Sequence, residues 1–141
     1  MAQTVHKLDY YYVQTPNTAG QSAWILAALR DAGVSLLAYS GFPNGHRAQQ
    51  DFVPADPAQF MAAMKKLKLN LSRKKICFLL EGDDNVGALT SILSKLAESK
   101  INVTALDAVT AGEGRFGAIF WVKPRDVAKA AKVLGVMEAA S

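Results

Sequence analysis

Asp84, Gly87 and Asn102 are residues whose types and positions in this 141-residue chain could bind a small molecule. The Asp84 carboxylate can pair with an ammonium group, and the Asn102 amide can both donate and accept hydrogen bonds. Gly87 would let a ligand approach the backbone closely. It also precedes a helical pattern of apolar residues, and the start of a helix offers backbone N–H groups to a carboxylate. These residues therefore predict a site for a small molecule that carries both charges.

The same segment has a simpler interpretation, which stays open. Glu81, Asp83 and Asp84 stand close to a predicted helix start, where acidic side chains complement the positive end of the helix. Gly87 could serve only the tight packing of a helix on a strand. Under this interpretation the segment is structural and binds no ligand.

The chain contains an internal repeat that supplies a second copy of this segment. Moving the sequence along itself by 67 residues aligns the two halves without a gap over residues 13–69. Identical residues fall at glycines, at prolines and at helical spacing, where chance would not place them. They include Gly20/Gly87, Ile25/Ile92, Leu29/Leu96, Gly45/Gly112 and Pro57/Pro124. We therefore predict two tandem domains, residues 1–71 and residues 72–141.

Each copy shows the pattern of a β-α-β-β-α-β unit. Aromatic and β-branched runs predict strands, apolar stripes at i, i+3, i+4, i+7 predict helices, and Gly-containing pairs predict hairpin turns. The predicted strands are residues 8–13, 34–40, 49–53 and 69–71 in the first copy, and residues 76–80, 101–107, 116–122 and 134–137 in the second. This order predicts an α+β fold of two tandem ferredoxin-like β-α-β-β-α-β units with antiparallel sheets.

The predicted strands are apolar on both faces, which bears on assembly. In residues 116–122 one face carries Phe116 and Phe120, whereas the other carries Ile119 and Trp121. A half-solvated antiparallel sheet should be polar on its outer face, and a unit of roughly 60–70 residues is marginally stable alone. We therefore expect the second face to be covered by the other repeat or by a second chain, and a homodimer is the expected assembly.

The segment Asp84-Asn85-Val86-Gly87-Ala88-Leu89, a helix, and then Lys100-Ile101-Asn102-Val103 together resemble the ACT domain. In that family the loop reads D-x-x-G-x-L, and the second strand starts with an Asn-hydrophobic pair. The resemblance covers nearly the whole chain as two tandem copies. The first copy departs from the pattern, because Asn17-Thr18-Ala19-Gly20-Gln21-Ser22 replaces the acidic loop and Ser35 replaces the Asn.

The resemblance implies a regulatory module, since ACT domains usually bind an amino acid at the interface between two copies. Their sites are lined by the loop before the first helix and by the start of the second strand. In the second copy this implicates Asp84, Asn85, Val86, Gly87, Ala88 and Asn102. In the first copy it implicates Asn17, Thr18, Ala19, Gly20 and Ser35. Without its acid, the first loop could be a structural partner only.

RNA binding is an alternative with the same order of elements. Residues 114–122 loosely resemble the basic-glycine-aromatic third strand of RNA-recognition motifs. However, that motif needs a glycine between its basic residue and its first aromatic, and none stands between Arg115 and Phe116. The matching strand of the first copy, residues 49–53, has one aromatic and one acid. A purely structural protein–protein interaction module is the other alternative.

Charge also argues against a nucleic-acid partner, because the net charge of +4 is spread evenly. Residues 1–70 carry six basic and four acidic side chains, and residues 71–141 carry ten and eight, which gives +2 in each part. A nucleic-acid binder usually concentrates its positive charge.

The sequence also lacks the signatures of a catalytic, metal-binding or membrane protein. It contains no Walker loop, Rossmann fingerprint or serine elbow. His6 and His46 have no partners at metal-ligand spacing, and the single Cys77 forms no disulfide framework. The longest apolar runs are too short for a membrane span, and the N-terminus lacks the apolar stretch of a signal peptide.

We therefore expect a cytoplasmic protein that is not an enzyme and has no cofactor, metal, nucleic-acid or membrane partner. Its expected ligand is a small molecule, foremost an amino acid. Binding would change how the protein associates with itself or with a regulated target protein.

Overall fold

A computed structural model describes residues 3–138 of the chain, which divide into two compact units. The first unit is Asp9–Lys75. The second unit joins the described parts of Met1–Leu8 and of Ile76–Ser141. Residues 3–8 thus belong to the unit formed by the second half of the sequence. The division of the chain into domains at residues 71 and 72 remains a prediction.

The first unit consists of a three-stranded antiparallel sheet and two helices. Its elements are β1 (Thr4–Pro16), which begins in the second unit, α1 (Gln21–Asp31), β2 (Leu36–Asn44), β3 (Arg47–Pro54) and α2 (Pro57–Leu67). β3 pairs with β1 on one side and with β2 on the other, so that Phe52 lies opposite both Tyr11 and Tyr39. The apolar stripes of the helices pack on this sheet, and the Phe60 ring lies 5.5 Å from the ring of Phe52.

The second helix of this unit begins at an Asp-Pro pair, Asp56 and Pro57. Pro57 is its first residue, and its fixed backbone angle suits that position. The Asp56 carboxylate accepts a hydrogen bond from the Gln59 N–H at 3.2 Å, which satisfies one N–H group of the first turn.

The predicted last strand of the first copy, residues 69–71, is wrong, because residues 68–74 contain no strand. The Ser72 N–H donates to the Tyr12 carbonyl at 2.9 Å, but the Tyr12 N–H donates to the Ser72 hydroxyl, also at 2.9 Å. A serine side chain therefore takes the place of the backbone carbonyl that a strand would supply. Leu69 and Leu71 still pack against the core of the first unit.

The second unit repeats the pattern with a different ending. Its elements are β4 (Lys75–Asp83), α3 (Thr90–Glu98), β5 (Val103–Gly112), β6 (Arg115–Val122), a 3-10 turn (Pro124–Asp126), α4 (Val127–Leu134) and β7 (Met137–Glu138). β6 pairs antiparallel with β4 and with β5. The predicted last strand, residues 134–137, is partly wrong: Leu134 ends α4, and only β7 forms, pairing parallel with His6 and Lys7 of β1.

The core of the second unit lies between its sheet and its helices. The stacked rings of Phe78 and Phe120, 5.3 Å apart, form its centre, and Ile92 and Leu96 from α3 pack against the same cluster. Val5, near the start of β1, belongs to this core as well. The α+β class is confirmed.

The second unit contains one extra residue relative to the first, which the ungapped alignment of the repeat does not reveal. Tyr11 and Phe78 are 67 positions apart, but their partners Phe52 and Phe120 are 68 apart. The register of β5 shifts between Thr110 and Gly112, which is a β-bulge that adds one residue to the second hairpin. The 67-residue alignment is therefore wrong for the third strands, and Gly45 and Gly112 are not equivalent positions.

None of the helices within residues 3–138 is long and apolar enough to cross a membrane.

Candidate functional site

A cavity of about 310 Å³ lies at the start of α3 in the second unit. It is formed by the loop after β4, the beginning of α3 and the hairpin ends of β5 and β6. Its lining residues are Asp84, Gly87, Ala88, Leu89, Thr90, Ala108, Val109, Thr110 and Phe116. This volume is at the lower end of the range typical of small-molecule pockets, roughly 300–1,000 Å³.

Backbone hydrogen bonds fix the loop that forms one wall of the cavity. The Asp84 N–H donates to the Gly114 carbonyl at 2.7 Å, which ties the start of the loop to the β5–β6 turn. The Thr90 N–H donates to the Gly87 carbonyl at 2.9 Å. Gly87 has a φ of +73°, in the left-handed region that favours glycine. Gly87 therefore makes the turn that brings the loop into the first turn of α3.

Two neighbouring acids of this loop differ in their surroundings. The Asp83 carboxylate accepts a hydrogen bond from Arg115 at 2.8 Å, across the register pair that joins β4 to β6. The Asp84 carboxylate lines the cavity and has no ion-pair or hydrogen-bond partner within residues 3–138. Asp84 is therefore the acid that can pair with a cationic group in the cavity.

The helix at this wall begins without a side-chain cap. Leu89 occupies the N-cap position of α3, and its apolar side chain makes no capping hydrogen bond, whereas the Thr90 N–H already donates to the Gly87 carbonyl. The N–H groups at the start of a helix have no partner within the helix, and this end carries a partial positive charge. The polar end of the cavity thus combines a carboxylate with a site suited to an anion.

The opposite wall is apolar. The Phe116 side chain is buried, whereas Val109 is 69% exposed and Ala108 is also exposed. The cavity therefore opens to solvent beside β5. A ligand with a charged head and an apolar tail would match both walls.

The site residues predicted for the second copy divide into two groups. Asp84, Gly87 and Ala88 line the cavity. Asn85 and Val86 lie in the exposed turn between them, and the Asn85 carbonyl accepts the Ala88 N–H at 3.2 Å. Asn102 is exposed just before β5 and does not line the cavity.

The residues predicted for the first copy lie on the first unit and take no part in this cavity. Asn17, Thr18, Ala19 and Gly20 form an exposed segment before α1, and Ser35 is exposed before β2. The Thr18 hydroxyl accepts a hydrogen bond from the side chain of Gln21 at 3.4 Å.

Sequence reasoning missed the remaining lining residues, which are Leu89, Thr90, Ala108, Val109, Thr110 and Phe116. The predicted second strand stops at residue 107, whereas β5 continues to Gly112. The β-branched Val109 and Thr110 were the available signal for a longer strand. The sequence placed Phe116 on one face of a predicted strand and in the RNA-recognition alternative, and neither position indicates a cavity.

Within residues 3–138 no group of three or more His, Cys, Asp or Glu side chains is arranged to hold a metal ion.

Comparison with solved structures identifies proteins of the same fold. A crystal structure of a Bacteroides thetaiotaomicron protein has a TM-score of 0.77 and 16% sequence identity, over 94% of this chain and 88% of that one. The ligand-free regulatory subunit of aspartate kinase from Thermus thermophilus has a TM-score of 0.62 and 13% identity, over 96% of both chains. The regulatory subunit of aspartate kinase from Thermus flavus has a TM-score of 0.58 and 18% identity, over 95% of this chain and 94% of that one.

No protein-family model matches the sequence, and no curated protein matches it. The likeness to the solved structures extends along nearly the whole chain at low identity, so it concerns the fold. The fold is α+β and is shared with these regulatory subunits.

Proposed function

We propose that this chain is a non-catalytic regulatory protein that binds a small zwitterionic molecule, foremost an amino acid, in the cavity of the second unit. The observation that carries the proposal is that the Asp84 carboxylate, which has no partner within residues 3–138, and the start of α3 lie at one cavity that also has the apolar side chains of Val109 and Phe116. The fold shared with regulatory subunits of aspartate kinase supports a regulatory role over an enzymatic one.

The cavity suggests how such a ligand would bind. The ammonium group would pair with Asp84, and the carboxylate would lie near the positive end of α3. The apolar part of the ligand would lie against Val109 and Phe116. Ligands that lack either charge would lose one of these contacts and should bind more weakly.

We further propose that the chain is a tandem pair of ACT-like, ferredoxin-like copies, residues 1–71 and 72–141 in sequence order, in which residues 3–8 of the first copy belong to the second compact unit. The matched cores support this view, because Ile25 and Leu29 of α1 correspond to Ile92 and Leu96 of α3, and all four side chains are buried.

Signalling would proceed through association in the cytoplasm. β5 stands at one end of its sheet and pairs with β6 on one side, and Val109 on this strand is exposed beside the cavity. A second copy of the chain that pairs along β5 would complete the site. A bound ligand would then shift the equilibrium towards the homodimer, or towards the complex with a regulated target protein, because it binds the associated state more tightly.

The strands of the second unit do not favour RNA binding. A stacking platform needs exposed aromatic side chains, but Phe78, Phe116 and Phe120 all belong to the buried core of the second unit. A purely structural interaction module differs from the proposed sensor in a single property, which is the absence of a ligand.

A thermal-shift screen with the twenty amino acids tests the proposal. At a ligand concentration of about 100 times Kd, binding should add about 2.7 kcal/mol to the free energy of unfolding. Titration calorimetry on each hit should then give one site per chain. If none of the twenty amino acids shifts the melting temperature, the sensor proposal fails and the interaction module takes its place.

A further inference from the structure

A chain of hydrogen-bonded polar side chains runs through the first unit near the start of α1. The Tyr39 hydroxyl lies 2.9 Å from Gln50 Oε1, to which it donates, and 3.1 Å from the Ser22 hydroxyl. The Gln50 side-chain N–H in turn donates to the Thr15 hydroxyl at 3.3 Å. Gln50 is 1% exposed and Thr15 2%, whereas Tyr39 is half-buried and Ser22 is exposed. The network therefore runs from the interior of the unit to its surface.

The strand registers show which residues of the second unit correspond to this network. Tyr39 lies opposite Phe52, as Leu106 lies opposite Phe120, so Tyr39 and Leu106 are equivalent. By the same registers, Gly41 lies opposite Gln50 as Ala108 lies opposite Ala118.

The helices extend the correspondence to the start of α1. The buried residues Ile25 and Leu29 match Ile92 and Leu96, so Ser22 is equivalent to Leu89. Two lining residues of the second unit's cavity, Leu89 and Ala108, are therefore the counterparts of Ser22 and Gly41.

The end of the Tyr39 side chain lies between these two counterparts. Its hydroxyl contacts Ser22 on one side, and a Cβ added at Gly41 would stand 3.3 Å from the hydroxyl oxygen and 3.6 Å from Cε2. A phenol ring therefore fills, in the first unit, the position that is open in the second. There the shorter Leu106 replaces the tyrosine, and Ala108 replaces the glycine.

We propose that the first unit contains the counterpart of the second unit's cavity as a site for a phenolic ring, occupied by the chain's own Tyr39. The chain thus has one open site and one filled by its own side chain. Gly41 makes room for the hydroxyl, and Ser22 and Gln50 supply its hydrogen-bond partners. This inference does not depend on the ligand proposed for the second unit.

Removal of the ring should uncover the site, and phenol is the probe for it. In Tyr39→Ala the side chain beyond Cβ is missing, so phenol should raise the melting temperature of this variant saturably, with one site per chain by calorimetry. Toluene, which has a similar shape without the hydroxyl, should bind at least about tenfold more weakly because Ser22 and Gln50 would lose their partner.

Two controls separate a built phenol site from an ordinary cavity. Tyr39→Phe keeps the ring and should show no saturable response to phenol. Leu106→Ala opens an apolar space at the equivalent place in the second unit and should not favour phenol over toluene. A folded Tyr39→Ala protein that responds to phenol only as the wild type does, or that prefers toluene, would overturn the proposal.

A double-mutant cycle keeps the inference testable even if Tyr39→Ala does not fold. Gly41→Ala should lower the melting temperature of the wild type, because the new methyl group presses on the Tyr39 hydroxyl. The same change in the Tyr39→Phe background should lower it by less than half as much, since that hydroxyl is gone. Equal effects in the two backgrounds would mean that Tyr39 does not occupy the site.

Discussion

Asp83 and Arg115 face each other in the register of β4 and β6, and their side chains form an ion pair with an N–O distance of 2.8 Å. Both side chains are partly exposed, so the pair adds little stability. Its importance is that Arg115 pairs with only the first of two adjacent acids. The second acid, Asp84, faces the cavity without a partner among the described residues.

Asp84→Asn should weaken binding of the amino acid found in the screen by about fivefold, since Asp84 is exposed and an exposed charge pair contributes up to about 1 kcal/mol. Asp83→Asn is the matched control and should change Kd by less than about threefold. Titration calorimetry measures both. Equal losses in the two variants would mean that the charge of the loop as a whole, and not the Asp84 contact, attracts the ligand.

Asn102→Ala distinguishes the site that the cavity indicates from the site that the family resemblance implies. Asn102 does not line the cavity, so this variant should bind the ligand with unchanged affinity. A loss comparable to that of Asp84→Asn would restore the site that the resemblance implies and would place the ligand closer to the start of β5.

Ala108→Leu should block the cavity, because the added side-chain volume would project from a lining residue. The ligand-induced rise in melting temperature should disappear while the circular dichroism spectrum stays that of the wild type. Ala105→Leu makes the same change at another exposed position of β5 and should leave the rise intact. Binding that survives Ala108→Leu would remove this cavity as the site.

Asp51→Asn should stabilise the protein at neutral pH. The Asp51 side chain is 6% exposed, and burial raises its pKa, although a hydrogen bond from Gln49 and the charge of Lys75 act in the opposite direction. A carboxyl group whose pKa is higher in the folded state favours folding less as the pH rises through that pKa. The gain from Asp51→Asn should therefore be present at pH 7 and vanish as the pH falls below the ordinary carboxyl pKa of about 4.

Urea unfolding at pH 7 and at pH 3 measures the effect of Asp51→Asn. The exposed Asp107→Asn serves as the control, because its change in unfolding free energy should stay within about 0.5 kcal/mol at both pH values. A destabilised Asp51→Asn protein at pH 7 would show that the charge of this carboxylate is needed by its neighbours.

Leu96→Ala should lower the free energy of unfolding by about 2–5 kcal/mol, because the side chain is 1% exposed within the core of the second unit. Leu93→Ala lies on the same helix at 37% exposure and should cost less than about 1 kcal/mol. Chemical denaturation distinguishes them. Similar losses would contradict the assignment of the buried stripe of α3.

The sequence was sufficient for most of the secondary structure, since apolar stripes such as Ile92 and Leu96 mark the buried side of a helix directly. It failed at residues 69–71 for a local reason. A leucine-rich segment beside an aromatic strand has the composition of a strand, and only the hydrogen bond between Tyr12 and the Ser72 hydroxyl shows that the ladder is not formed.

The cavity was predicted only in part, because one of its walls is a continuous sequence segment and the other is brought together by strand pairing. The loop from Asp84 to Ala88 is contiguous and carries a recognisable motif. The wall formed by Val109 and Phe116 depends on the register of β5 and β6, and the bulge after Thr110 shifts that register by one residue. The coincidental match of Gly45 with Gly112 concealed the shift.

The course of β1 has a consequence for how the protein is made. Val5 near its start belongs to one core, and Tyr11 and Val13 further along belong to the other. Val5 therefore leaves the ribosome before any of its core neighbours, which lie between Phe78 and Leu134, have been synthesised. The partners of Tyr11 and Val13, the last of them Leu71, emerge earlier. Val5 can therefore take its place in the core only after the segment that holds those neighbours has been synthesised.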